Sequence, residues 1–217
     1  MPFGFPVLLE LAGRRCVVIG ALPVAEGKVE ALLAGDATDV LVVAEGPAAR
    51  LDALEAVTGV AVERRGWRGE DVEGAALVIG HDPSHEGRDA IAAAARAAGA
   101  MVNLVDDIPN CDWAMPSIVR RGDLLLAIGT GGASPALSKK VRAQLEGTYG
   151  PEWAEVLLIL REVRAATSAS LPTFDERAAR WASALDLDEA AELVREGRSD
   201  ELRTRLTARL LGGVPAS

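Results

Sequence analysis

Four short aliphatic runs separated by alanine-rich stretches constrain this chain more than any other feature. "CVVIG" (16–20) is a continuous, largely β-branched run that reads as a strand buried on both faces, and "DVLVVAE" (39–45), "AALVIG" (75–80) and "AMVNLVD" (100–106) repeat the pattern. Between them, "PVAEGKVEALLAG" has Pro23 at a first helical position and Gly35 where a C-terminal cap falls, and "HEGRDAIAAAARAAG" closes on Gly99 in the same way. Such βαβα order predicts an α/β fold with a mostly parallel, doubly wound sheet and right-handed crossovers.

Near residue 113 the pattern changes. "SIVRRG" and "DLLLAIG" read as two strands joined at Gly122-Asp123, a hairpin and not another crossover. "TGGASPALSKKVRAQLE" follows as a glycine loop with Ser134 as helix N-cap and Pro135 at the first helical position. From Pro151 onward four amphipathic segments read as helices. The expected divisions are 1–113, 114–150 and 151–217.

Composition narrows the class. A chain of 217 residues with 49% hydrophobic content buries a full core. A formal net charge of −9 argues against non-specific nucleic-acid binding, so an anionic ligand needs a local basic patch. Cys16 and Cys111 lie far apart, with no C-x-x-C pair and no histidines at metal-ligand spacing, and both are read as reduced. The first residues lack the features of a secretory signal, and no stretch reaches the roughly 20 apolar residues of a spanning helix. The expected location is cytoplasmic, with no membrane and no nucleic-acid partner.

"PVLLELAGRRCVVIG", "VAEGKVEALL" and "VNLVDDIPNCDWAMPSIVRRGDLLLAIGTGGASPALSKKVRAQLE" together resemble the precorrin-2 dehydrogenase family, the dehydrogenase/ferrochelatase module of siroheme synthases. The most specific part is 102–137, where Asn-x-x-Asp, a cysteine, Pro-Ser and Gly-Gly-x-Ser-Pro fall in the family's order and spacing. The resemblance implies a Rossmann domain, a small dimerisation element and a helical tail. It implies NAD-dependent dehydrogenation of precorrin-2 to sirohydrochlorin in siroheme biosynthesis, with Fe²⁺ insertion in some members; the hairpin at 117–129, whose edge strands can pair across a twofold axis, predicts a homodimer. Larger relatives add a methyltransferase domain that makes precorrin-2; with the sequence ending at Ser217, methylation is expected from another protein.

Residues follow from motif and resemblance together. Gly20 ends the first strand where the turn into a helix N-terminus faces a pyrophosphate, making Gly20, Ala21, Leu22, Pro23 and Val24 the expected cofactor turn. Leu22 stands where the dinucleotide fingerprint has its second glycine, which leaves three outcomes open: binding through other loops, weakened binding, or none. Glu45, ending the second run, is placed to accept a hydrogen bond from a ribose hydroxyl and to repel a 2′-phosphate, or else is a solvated strand end. His81 lies in the loop that borders the cofactor in the family, and Asn103 either braces its strand end or contacts the nicotinamide. Pro83 separates His81 from His85, and no metal site is expected there.

Asp106 is the expected catalytic residue. It lies at the carboxyl end of a strand, where open α/β sheets put their ligands, and it matches the family's aspartate; a turn aspartate is the plain alternative. A carboxylate there accepts the proton lost in dehydrogenation, or pyrrole protons as iron enters. The loop residues Thr130, Gly131, Gly132 and Ser134, with Lys139 beyond them, are expected to bind the substrate's many carboxylates. Lys140, Arg142, Arg120 and Arg121 make the same region basic. A tetrapyrrole-binding or metal-inserting homologue with a degenerate NAD site, and a dinucleotide-binding regulatory protein, stand as alternatives.

Overall fold

In a computed structural model of the chain, residues 4–20, 22–171 and 173–212 are described. They form two compact units, Met1–Met115 and Pro116–Ser217.

The first unit carries a five-stranded parallel sheet. Its strands are β1 (Arg15–Ile19), β2 (Asp39–Val43), β3 (Val60–Glu63), β4 (Ala75–Gly80) and β5 (Met101–Leu104), in the spatial order β3-β2-β1-β4-β5. The helices are α1 (Leu22–Leu33), α2 (Ala48–Glu55) and α3 (His85–Ala97). Alternate strand residues serve opposite faces: Cys16, Val18, Val40, Val42, Leu77 and Ile79 pack with Val29, Leu32 and Leu51 of α1 and α2. Val17, Ile19, Leu41, Val43, Val78 and Val102 pack with Ile91, Ala92 and Ala95 of α3. Burial on both faces is why these strands read as unbroken aliphatic runs. The strand order reverses direction at β1, so the β1/β4 crevice is the topological switch point of a doubly wound, Rossmann-like sheet.

Three details differ from the sequence reading. β3 and α2 were not foreseen, because β3 is a four-residue edge strand of alternating burial beside a mixed-polarity helix. α1 begins at Leu22, so Pro23 is its second residue. Its C-terminus closes on Asp36, not Gly35: Asp36 has φ 62, Ala37 N–H donates to Leu32 O at 3.1 Å, and Asp36 N–H donates to Leu33 O at 3.0 Å. That is the left-handed six-to-one cap with aspartate in the glycine's place. Gly99 closes α3 as foreseen, with φ 80. Gly27 in α1 has nothing within 4 Å of an added Cβ, and no packing explains it.

The second unit opens with β6 (Ser117–Arg121) and β7 (Leu124–Ile128), an antiparallel hairpin registered Arg121 to Leu124 across Gly122-Asp123. α4 (Pro135–Thr148) follows, capped by Ser134, whose Oγ accepts from Leu137 N–H at 3.1 Å. The tail forms α5 (Trp153–Thr167), α6 (Phe174–Ala184), α7 (Leu187–Arg195) and α8 (Ser199–Leu211). These helices bury Trp153, Val156, Ile159, Leu193, Leu202, Leu206 and Leu210 in one core. No helix among the described residues is long and apolar enough to cross a membrane.

Candidate active site

The carboxyl ends of the parallel strands finish level. Ile19 pairs with Val43 on one side and with Gly80 on the other, and Gly80 pairs with Leu104. The residues just beyond these ends are Gly20, Ala44-Glu45, His81 and Val105-Asp106.

Gly20 has φ 121, and an added Cβ would lie 2.3 Å from the His81 carbonyl oxygen. Its N–H donates to Val43 O at 3.1 Å, while His81 N–H donates to Ile19 O at 2.9 Å. Only glycine satisfies both the dihedral and the close approach. Gly20 and His81 are thus adjacent at the switch point, and both are half-exposed. Ala21 lies outside the described residues, and of Leu22, Pro23 and Val24 only the helical backbone is described. The helix starting at Leu22, two residues after a strand-end glycine, is the arrangement that faces amide donors toward an anion.

Glu45 is exposed beyond β2, and its Oε1 is 3.9 Å from where a Cβ on Gly66 would stand. The cations following β3 are already matched to carboxylates: Arg64 to Asp52 and Glu55, Arg65 to Asp71 at 2.7 Å, and Arg68 to Glu70 at 3.5 Å.

The turn after β5 contains two adjacent aspartates with opposite environments. Asp106 is exposed, has φ 60, and among the described residues its carboxylate makes no hydrogen bond or ion pair. A non-glycine residue held in the left-handed region is uncommon, and such positions gather at functional sites. Asp107 is buried; its Oδ2 accepts from Asn110 Nδ2 at 3.1 Å and from Arg88 Nε at 3.1 Å. The Asn110 amide, then the Arg88 guanidinium, hold the Asp107 carboxyl below the usual carboxylate range. Asp107 is the member of the pair that sequence reasoning passed over; only folding reveals Arg88, nineteen residues upstream, as its partner.

Asn103 and Cys111 are committed to building this turn. Asn103 Nδ2 donates to Trp113 O at 2.9 Å, and Trp113 Nε1 donates to Met101 O at 3.3 Å. Cys111 Sγ lies 3.1 Å from Leu104 N and 3.2 Å from the carbonyl oxygens of Leu104 and Asp107. Burial pushes both free thiols, Cys16 and Cys111, above their ordinary pKa. His85, Asp89 and Asp107 bring ligand atoms within 4.8 Å of one another, a grouping invisible in the chain spacing. Asn110 Nδ2 already joins Asp89 Oδ1, at 2.7 Å, to Asp107.

In the second unit, Gly131 and Gly132 have φ 62 and 80, which shapes the loop between β7 and α4. Thr130 Oγ1 accepts from Ser138 Oγ at 3.3 Å, and Ser134 caps α4. The basic patch is smaller than the sequence suggests. Arg121 donates to Tyr149 O at 2.9 Å and Glu146 O at 3.4 Å, capping α4, and Arg142 pairs with Glu146 at 3.6 Å. Lys139, Lys140 and Arg120 are exposed and, among the described residues, carry no ion pair.

Known proteins align with this architecture. The family model described as "Putative NAD(P)-binding" matches residues 7–117. The precorrin-2 dehydrogenase of Methanosarcina barkeri is 34% identical over 73% of this chain and 72% of its own. The chain belongs to the precorrin-2 dehydrogenase family. The siroheme synthase of Ectopseudomonas mendocina is 30% identical over 97% of this chain, which spans 45% of that protein. The chain thus covers less than half the length of such siroheme synthases. The solved structure of "SirC, precorrin-2 dehydrogenase" superposes with a TM-score of 0.64 over 95% of this chain and 97% of its own, at 23% identity, and shows the fold. The family model stops at residue 117, and the match to the siroheme synthase extends over 97% of the chain.

Proposed function

We propose that this chain dehydrogenates precorrin-2 to sirohydrochlorin in siroheme biosynthesis, using a nicotinamide dinucleotide held at the β1/β4 crevice. The observation that carries the reading is Asp106: an exposed carboxylate, free of partners among the described residues, held at φ 60 at the carboxyl end of β5. The crevice fits such a cofactor through Gly20, which places no side chain at the end of β1, and through the helix that starts at Leu22. The cofactor supplies a hydride acceptor. Gly20 and the helical backbone of residues 22–24 would hold its pyrophosphate, with His81 lining the same crevice and Asn103 fixing the neighbouring strand end.

Glu45 makes the cofactor NAD and not NADP. An exposed carboxylate beyond β2 accepts hydrogen bonds from a ribose diol, and the nearby arginines are already paired with carboxylates, leaving little to neutralise a 2′-phosphate.

Asp106 takes the proton released as the hydride leaves. Asp107 is unsuited to that work, because Asn110 and Arg88 stabilise its charged form. Thr130, Gly131, Gly132, Ser134 and Lys139 bind the substrate's carboxylates with backbone N–H groups, hydroxyls and an ammonium that carries no ion pair among the described residues. Iron insertion, with Fe²⁺ as substrate, would use the same free carboxylate to accept pyrrole protons. In this reading residues 1–113 form the dinucleotide domain, 114–150 a dimerisation element and 151–217 a helical domain, in a cytoplasmic homodimer. Exposed Ile118 on β6 and Leu137 on α4 support self-association of that element.

The test is incubation of the protein with enzymatically made precorrin-2 and NAD⁺ or NADP⁺. Reduced nicotinamide forming one-for-one with sirohydrochlorin, faster with NAD⁺, is the expected result. Bound but unchanged precorrin-2 overturns the dehydrogenase and leaves a tetrapyrrole-binding or metal-inserting role.

A further inference from the structure

The carboxylate of Asp106 has no side-chain partner among the described residues, so its direction is set by the backbone of its turn and by whatever anchors that turn. The anchor is Asp107, whose buried carboxylate is tied to α3 through Arg88. The same guanidinium reaches the opposite loop: Nη1 donates to Asp82 O at 2.9 Å and to Pro83 O at 3.3 Å. That loop is tightly made. Asp82 Oδ1 accepts from Ser84 N–H at 2.8 Å and Ser84 Oγ at 2.7 Å, Ser84 caps α3, and an added Cβ on Gly87 would lie 2.2 Å from the Asp82 carboxyl carbon. One residue earlier, His81 lies against Gly20. Gly20 and His81 thus meet at one end of the 81–84 segment, and Arg88 joins the carbonyls of Asp82 and Pro83 in that segment to Asp107.

We propose that Arg88 is a positioning residue of this site, clamping the loop after β4 to the turn after β5 and so fixing the backbone that aims the Asp106 carboxylate. The inference rests on the reading of Asp106 as the catalytic carboxylate. A guanidinium suits the task because its planar fork spans two carbonyls and a carboxylate together, which a single ammonium does not.

Two variants test it. Arg88→Lys keeps the charge opposite Asp107. The double variant Arg88→Ala/Asp107→Ala leaves no unpaired buried carboxylate, which separates lost positioning from lost stability. Melting temperature, steady-state precorrin-2 oxidation and amide hydrogen exchange are read for each. Arg88→Lys should melt near the wild type. Both variants should lose about tenfold or more in kcat, with KM for precorrin-2 within about twofold. Exchange should quicken at 81–84 and 105–107. A kcat within about twofold of wild type in both variants overturns the clamp, as does full recovery of kcat in the double variant. Should the wild type itself form no reduced nicotinamide, the proposed function fails and exchange decides the clamp: faster exchange confined to those two segments upholds it, and unchanged exchange overturns it.

Discussion

Replacing Gly20 by alanine tests the geometry on which the cofactor crevice depends. The new Cβ would meet the His81 carbonyl oxygen at 2.3 Å and its carbon at 3.1 Å, both backbone atoms. His81 does not retreat freely, because its N–H is bound to Ile19 O at 2.9 Å and Gly20 N–H is bound to Val43 O at 3.1 Å. Relief therefore requires moving the ends of β1 and β4 apart. Overpacking of a rigid contact costs about 1–3 kcal/mol, and a side chain at φ 121 costs about 1–3 kcal/mol more. A combined loss of about 3 kcal/mol corresponds to roughly 10 °C in the melting temperature of a unit this size. Thermal unfolding followed by circular dichroism, with NADH titration by fluorescence, reads both consequences: a lower melting temperature and weakened cofactor binding. A variant melting within about 2 °C of wild type and binding NADH equally would refute the close approach of these two loops.

Further outcomes follow from other contacts. Ser134→Ala removes the N-cap of α4 and should cost about 1 kcal/mol by urea unfolding. Glu45→Ala should narrow the preference for NAD⁺ over NADP⁺, read as the ratio of kcat/KM values; an unchanged ratio removes Glu45 from the cofactor site. Asp71, held low by the Arg65 guanidinium and the Arg68 backbone N–H, and Asp107, held low by Asn110 and Arg88, have folded pKa values below their unfolded ones. Their stabilisation is present above about pH 4 and is lost as the pH falls below that toward the folded values. Urea midpoints measured downward from neutrality should drop there, and Asp71→Asn should flatten the drop.

Much of the fold was legible because a parallel sheet covered on both faces writes itself as aliphatic runs: β4 appears residue for residue as "AALVIG". The hairpin, the Ser134 cap and Pro135 were legible through local turn chemistry. β3 was not, since an edge strand of four residues leaves too short an alternation. Asp36 was hidden because glycine one residue earlier offered the more obvious cap. In the site, Gly20 and Asp106 stand at strand ends that periodicity locates. The roles of Arg88, Arg121 and Arg142 depend on pairing through space, so a basic cluster in the sequence overstated the free positive charge of the loop at 130–134.

We assign proton acceptance to Asp106 and a structural role to its neighbour Asp107. Asparagine tolerates the left-handed region as aspartate does, so Asp106→Asn keeps the turn while removing the base. The measurement is single-turnover oxidation of bound precorrin-2 by NAD⁺ in wild type and Asp106→Asn, with precorrin-2 affinity determined alongside. Unchanged affinity and a rate lower by about a hundredfold or more are expected. Oxidation at the wild-type rate in the variant would contradict the assignment.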